Sequence, residues 1–148
     1  MKRVLGTVLA VSALALFGSA CSRNNIEAVN LANEGDRDKA ANIDGAISKY
    51  EQATNLDPTN HKILGKLANA YQKKEQWDKV ATTCAKAEKL APKHANYFFQ
   101  HGLALARQAV KGPTSWADAK GPLEEAIKLD PNIADAHFEL AEVHLHLD

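Results

Sequence analysis

Few residues of this chain could do chemistry. It has two cysteines, Cys21 and Cys84. His137 and His144 lie seven apart with His146 close behind, a set that could contribute to a metal site. Zinc sites on helices more often use two histidines four apart, and three or four ligands must converge. Glu124 and Glu125 are adjacent, so on a helix they point to different sides and describe a solvated face. The stretch Gly-Pro-Leu-Glu-Glu-Ala from Gly121 is not a glycine-rich phosphate loop. Catalysis needs reactive groups that converge. The expectation is therefore that the chain is not an enzyme and carries no cofactor.

Cys21 sits at a border. Met1-Lys2-Arg3 opens the sequence with two positive charges, and Val4 to Phe17 follows as 14 uncharged, mostly apolar residues. A bilayer-spanning helix needs about 20 apolar residues, so this run falls short. A charged start, a short apolar run and a small-residue exit at Gly18, Ser19 and Ala20 describe an export signal. Small side chains at these three positions suit a processing protease, because they let the backbone lie close in its cleft.

Gly-Ser-Ala-Cys after an apolar run resembles the bacterial lipoprotein lipobox. The resemblance implies a diacylglyceryl group on the Cys21 thiol, cleavage just before it, and frequent acylation of the new amino group. An ordinary secretory signal cut near Ala20 is the other reading. Two or more acyl chains hold a protein stably to a membrane, at about 0.8 kcal/mol per buried CH₂. Ser22 stands where Asp would resemble an inner-membrane retention signal. The resemblance thus implies the periplasmic face of the outer membrane, if the cell has one. Removing residues 1–20 takes two of the 18 basic residues and none of the 18 acidic ones, leaving a balance of −2. No basic excess remains to attract nucleic acid. With Cys21 lipidated, Cys84 has no intramolecular disulfide partner.

The elements after this border follow an internal repeat. Ala53, Ala87 and Ala126 correspond, as do Leu56, Leu90 and Leu129, and Pro58, Pro92 and Pro131, at intervals of 34 and then 39 residues. Upstream, Leu64, Leu67, Ala68 and Tyr71 recur as Phe98, His101, Gly102 and Leu105, then as His137, Leu140, Ala141 and His144. Spacings of 3, 4 and 7 put each set on one helical face. Trp77 and Trp116 open the second half of two repeats. The five extra residues therefore fall between Leu105 and Trp116, around Gly112-Pro113. The small residues let paired helices approach closely, and a proline after each second helix ends it.

This helix–turn–helix unit resembles the tetratricopeptide repeat (TPR), over about residues 28–148. The resemblance implies an all-α fold, a helical solenoid of antiparallel helix pairs. The expected organisation is a signal peptide at 1–20, a lipid-anchored linker at 21–27, and a repeat domain at 28–148 of about three repeats plus the first helix of a fourth. The first repeat needs a one-residue shift to bring Gly35 to the small position. Proline inside a helix removes a hydrogen bond and costs about 3 kcal/mol, so Gly121-Pro122 predicts a kink or a new helix start. Asn60, Asn132 and Ser115 are expected N-caps, the last two with an acid three residues on. The final helix has no pairing second helix; it is solvated, covered by a partner, or continued in a longer chain.

Repeat stacks build an extended concave surface. The resemblance implies that first helices line it, and it directs attention to Asn69, Phe99, Leu103, Arg107 and Phe138 as partner-binding residues. Some chaperone-binding members grip a terminal carboxylate with a polar clamp; here Gly65, Phe99 and Leu103 occupy positions where its polar groups would stand. Phe98 shares the internal face with Gly102 and Leu105. Phe99 and Phe138 either line the groove or pack between neighbouring first helices. The expected function is a lipid-anchored cell-envelope adaptor that binds a protein or peptide partner, for instance in assembly of an envelope complex, without nucleic acid. The alternatives are an envelope enzyme or metal-binding protein using the C-terminal histidines, and the N-terminal part of a larger repeat protein.

Overall fold

A computed structural model describes residues 23–112 and 115–148. Among these residues the secondary structure is entirely helical. Helix α1 covers residues 23–38, and α2 is Ile43–Leu56. Then come α3 His61–Lys73, α4 Trp77–Leu90, α5 Ala95–Lys111, α6 Trp116–Leu129 and α7 Ala134–Leu147. Each helix from α2 to α7 packs on the next in sequence, and α5 also touches α7. Residues 23–27, read from sequence as linker, are helical and run into α1. Cys21 and Pro113 lie outside the described residues.

The repeated small positions are where helices meet. Ala53, Ala87 and Ala126 are all buried. Gly35 is buried too, and the Tyr50 ring occupies the space a side chain would need, so the one-residue shift in the first repeat holds. Tyr50, Val80, Cys84, Leu123 and Val143 are the largest side chains sealed from solvent. Burying such a Val or Leu contributes about 1.5–3 kcal/mol each. Ala141, in the same register as Ala68 and Gly102, is exposed: among the described residues no second helix packs back on α7.

Local signals set the helix ends. Trp77 and Trp116 open α4 and α6 as expected. Ser115 caps α6: its hydroxyl accepts from the Ala117 N–H, and its own N–H donates to Asp118. Of the two expected asparagine caps, Asn60 holds the N-cap position of α3 and Asn132 is corrected. Asn60 precedes α3 but makes no side-chain cap bond. Asn132 is not the cap of α7; Ile133 is. The aspartates before Pro58 and Pro131 organise these two turns instead. Asp57 accepts from the Thr59 backbone and hydroxyl, and from the Asn60 amide. Asp130 accepts from the Asn132 N–H. The cap sequence reading missed is Asn42, which accepts from Gly45 N–H at 2.9 Å.

Helix α6 continues through Pro122 without a new start. The residue before a proline normally resists the α conformation because its Cβ and N–H meet the ring. Gly121 has no Cβ to meet the ring, and its chain neighbours and own helix backbone aside, nothing stands within 4 Å of the place one would occupy.

Candidate partner-binding groove

The odd-numbered helices lie side by side, and a polar bridge joins each to the next. Lys66 on α3 reaches back to Asp36 on α1. Gln100 on α5 donates to Asn69 on α3. Glu139 on α7 accepts two hydrogen bonds from Arg107 on α5, at 2.6 and 3.1 Å. Lys66, Gln100 and Glu139 are themselves 34 and 39 residues apart. The repeat therefore presents a polar side chain at one register position to bind the preceding first helix. Sequence reading missed this position, although the intervals mark it.

Around the first bridge lies a cleft of ≈ 650 Å³, lined among others by Asp36, Lys39, Lys66, Asn69, Lys73 and Trp77. Partial burial pushes the Asp36 carboxyl up, but hydrogen bonds from Lys66 and Tyr50, with the charges of Lys66 and Lys39, outweigh it. They hold the group below its ordinary value. The Tyr50 hydroxyl donates to Asp36 at 2.8 Å. The floor is thus a fixed hydrogen-bonded group rather than loose surface charge.

The second bridge connects groove to core. The buried Cys84 thiol donates to Gln100 Oε1 at 3.6 Å, and Gln100 Nε2 donates to Asn69 Oδ1. Gln100 is almost wholly buried and satisfied at both ends of its amide, whereas Asn69 is exposed. With its oxygen engaged, Asn69 has amide N–H groups to offer a ligand.

The third bridge divides the expected aromatic patch. Leu103 is only 8% exposed and offers the groove little surface. Phe99 is half-buried and packs against the buried cluster formed by Ala106, Ala119, Leu123 and Val143, as Trp116 and Leu140 do. It packs between neighbouring helices because α7 stacks over this side of α5. Phe138, in the same register, has no further first helix beside it among the described residues and is 68% exposed. Leu145 on the same helix is also exposed. Phe98 is half-buried as well, so Phe98 and Phe99 do not divide cleanly into core and groove. Phe99 also borders a cleft of ≈ 590 Å³ with Asn96, Ile133 and Asp135.

The three C-terminal histidines diverge. His137 Nε2 bonds the Pro131 carbonyl at 2.9 Å. His146 stacks on Trp116 with ring centroids 4.0 Å apart. His137 and His144 were expected in the register of core residues, but both are exposed, since among the described residues no second helix covers that face of α7. Among the described residues no three His, Cys, Asp or Glu side chains are grouped to hold a metal. No helix among them is long and apolar enough to cross a membrane.

This architecture matches known proteins. Residues 34–98 fit the family profile described as Tetratricopeptide repeat. The first TPR of Spaghetti (RPAP3), bound to HSP90 peptide SRMEEVD, superposes with a TM-score of 0.72 at 25% identity, over 83% of this chain and 94% of that one. The Sgt2 TPR domain from Aspergillus fumigatus gives 0.68 at 26% identity, over 82% of this chain and 79% of that one. The Arabidopsis OM64 TPR domain gives 0.73 at 18% identity, over 83% and 98%. The fold is a tetratricopeptide-repeat solenoid of antiparallel helix pairs.

Proposed function

We propose that the protein is a lipid-anchored adaptor of the cell envelope that holds a protein or peptide partner on the face built by α1, α3, α5 and α7. It does no chemistry of its own. The observation that carries the reading is the cleft at Asp36, Lys66 and Asn69, whose side chains are already fixed before any partner arrives. Preorganised polar groups lose little entropy on binding. Support comes from the similar first TPR of Spaghetti, which is bound to an HSP90 peptide. Recognition here differs from a carboxylate clamp. A side chain at Gly65 would run into Tyr97 at 2.9 Å, and Phe99 and Leu103 are packed. The partner instead meets lysines and amides near Lys73 and Asn69, and apolar surface at Phe138. Arg107 holds Glu139 and shapes the floor between them.

The lipid anchor is assigned to Cys21 by the lipobox pattern, with the periplasmic face of the outer membrane as the destination in a two-membrane cell. Crosslinking in cells with the native protein, followed by pulldown with the captured partner, tests the groove. Phe138→Ala combined with Lys73→Glu is expected to weaken capture at least about tenfold, or 1.4 kcal/mol. Unchanged capture with unchanged thermal stability would place the working surface elsewhere. Cys21→Ser is expected to abolish acylation and release the protein from membrane fractions. A Cys21→Ser protein that still sediments with membranes, beside a parent that takes up no labelled lipid, would refute the anchor.

A further inference from the structure

Helix α1 closes one end of the stack. Ala28, Ala32 and Gly35 form its buried face. Ile26 is turned away from them and is 63% exposed, and Val29 stands between Ile26 and the buried face, at its edge, 44% exposed. At about 100° per residue, Ile26 stands about 160° round the helix from Ala28. Asn25 and Asn30 flank the pair and complete a shallow hollow on the outer surface. The end of a repeat stack that faces water calls for a polar outer side. Here two branched apolar side chains occupy it, with Arg23 about 60° from Ile26 on the same side.

Their place in the chain says what covers them. The described helix begins at residue 23, two residues after Cys21. Two residues reach at most about 7 Å. Val29 lies about 9 Å further along the helix. An anchored Cys21 therefore confines Ile26 and Val29 to within about 16 Å of the lipid attachment. Two apolar side chains alone would not hold a protein to a bilayer. Once acyl chains keep the helix there, the second contact is intramolecular and a small one suffices to orient it. Apolar faces of helices settle at the headgroup–acyl boundary, and a basic residue favours anionic headgroups.

We infer that the Ile26–Val29 face of α1 rests on the lipid surface and sets the orientation of the solenoid on the membrane, leaving α7 at the far end of the stack. This rests on the lipidation of Cys21 proposed above. The test uses the full chain, processed in a bacterial host and reconstituted in vesicles of phosphatidylethanolamine and phosphatidylglycerol. Ile26→Cys and Val29→Cys each take a maleimide fluorophore, and Lys128→Cys, at an exposed position of α6, serves as reference. Cys84 is buried and stays unlabelled in the folded protein. Nitroxide-bearing lipids are expected to quench the probes at 26 and 29 several-fold more than the probe at 128. Mass spectrometry of the same samples reports acylation separately. Acylated protein whose α1 probes are quenched only by aqueous iodide overturns the membrane contact and leaves the anchor standing. Probes shielded from both quenchers show a protein covering the face and also overturn it. Absence of acyl mass overturns the anchor, and this inference with it.

Discussion

A Cβ placed on Gly102 would lie 2.6 Å from Cγ of Leu123 and 3.1 Å from its backbone nitrogen. Gly35 stands in the same relation to Tyr50, with the ring carbon Cε1 2.7 Å away. In the middle repeat the two positions hold Ala68 and Cys84, both buried in one cluster. Each repeat divides the space between its helices in its own way. Glycine on the first helix goes with a large side chain on the second, and alanine with a small one.

Gly102→Ala is therefore expected to destabilise, although the same change in an open helix stabilises by about 1 kcal/mol. Overpacking against the Leu123 backbone outweighs that gain, for a net loss of about 1–2 kcal/mol in urea unfolding. Leu123→Cys, which copies the middle repeat, is expected to rescue part of the loss. Purely additive losses in the double variant would show that the two residues do not share the space.

Arg107 and Glu139 form a two-pronged ion pair in which the Glu139 side chain is only 8% exposed. Removing the guanidinium leaves a carboxylate with little access to water. Arg107→Ala is expected to cost about 2–3 kcal/mol. Lys74→Ala, which removes the open pair with Asp44, should cost no more than about 0.5 kcal/mol. The gap should persist in high salt, since the buried pair is poorly screened. Equal costs for the two substitutions would contradict this account.

Asp36 is held below the ordinary carboxylate value by Lys66 and Tyr50 against the opposing effect of burial. A depressed folded value means that its contribution is complete above the ordinary range and lost as pH falls through the lower folded value. Asp36→Asn should thus lower stability at about pH 7, and the difference from the parent should shrink as pH drops below about 4. Thermal melts across that range check the sign. A difference that stays constant down to about pH 2 would mean that the charge is not what stabilises.

Burial, with the Glu88 charge adding to it, pushes the Cys84 thiol up to about 12. The thiolate is the reactive form. In a Cys21→Ser background, the folded protein should leave an aromatic disulfide reagent almost untouched at about pH 8, and react fully once urea unfolds it. Rapid reaction of the folded protein would show that the Cys84–Gln100 contact is not closed.

Glu75, in the turn between α3 and α4, has a φ of 54°. Left-handed backbone at a residue with a Cβ costs about 1–2 kcal/mol, which glycine avoids. Its ion pair with Lys111 is long, at 3.8 Å, and exposed on both sides. Glu75→Gly should stabilise by up to about 1 kcal/mol, visible as a higher urea midpoint. A lower midpoint would mean that the carboxylate matters more than the strain.

The sequence by itself determined the helix pairs. Helical periodicity is a local pattern, and the intervals of 34 and 39 residues brought Ala68 and Gly102, and Ala53, Ala87 and Ala126, into phase. Capping at Ser115 was equally legible, since it involves residues three apart. Helix continuity through Pro122 was legible only in part: the penalty of proline was plain, and the relief lies in the missing Cβ of the Gly121 beside it. Only the tertiary structure decided how the candidate groove is built. It joined Arg107 to Glu139, and Cys84 through Gln100 to Asn69; the repeat intervals mark Gln100 and Glu139 as one register position but not the partner each finds on the preceding helix. Phe99 and Phe138 share one register position, yet one is packed and the other bare. A helical face records which side chains can be buried together; whether they are depends on the helix that stacks beyond them.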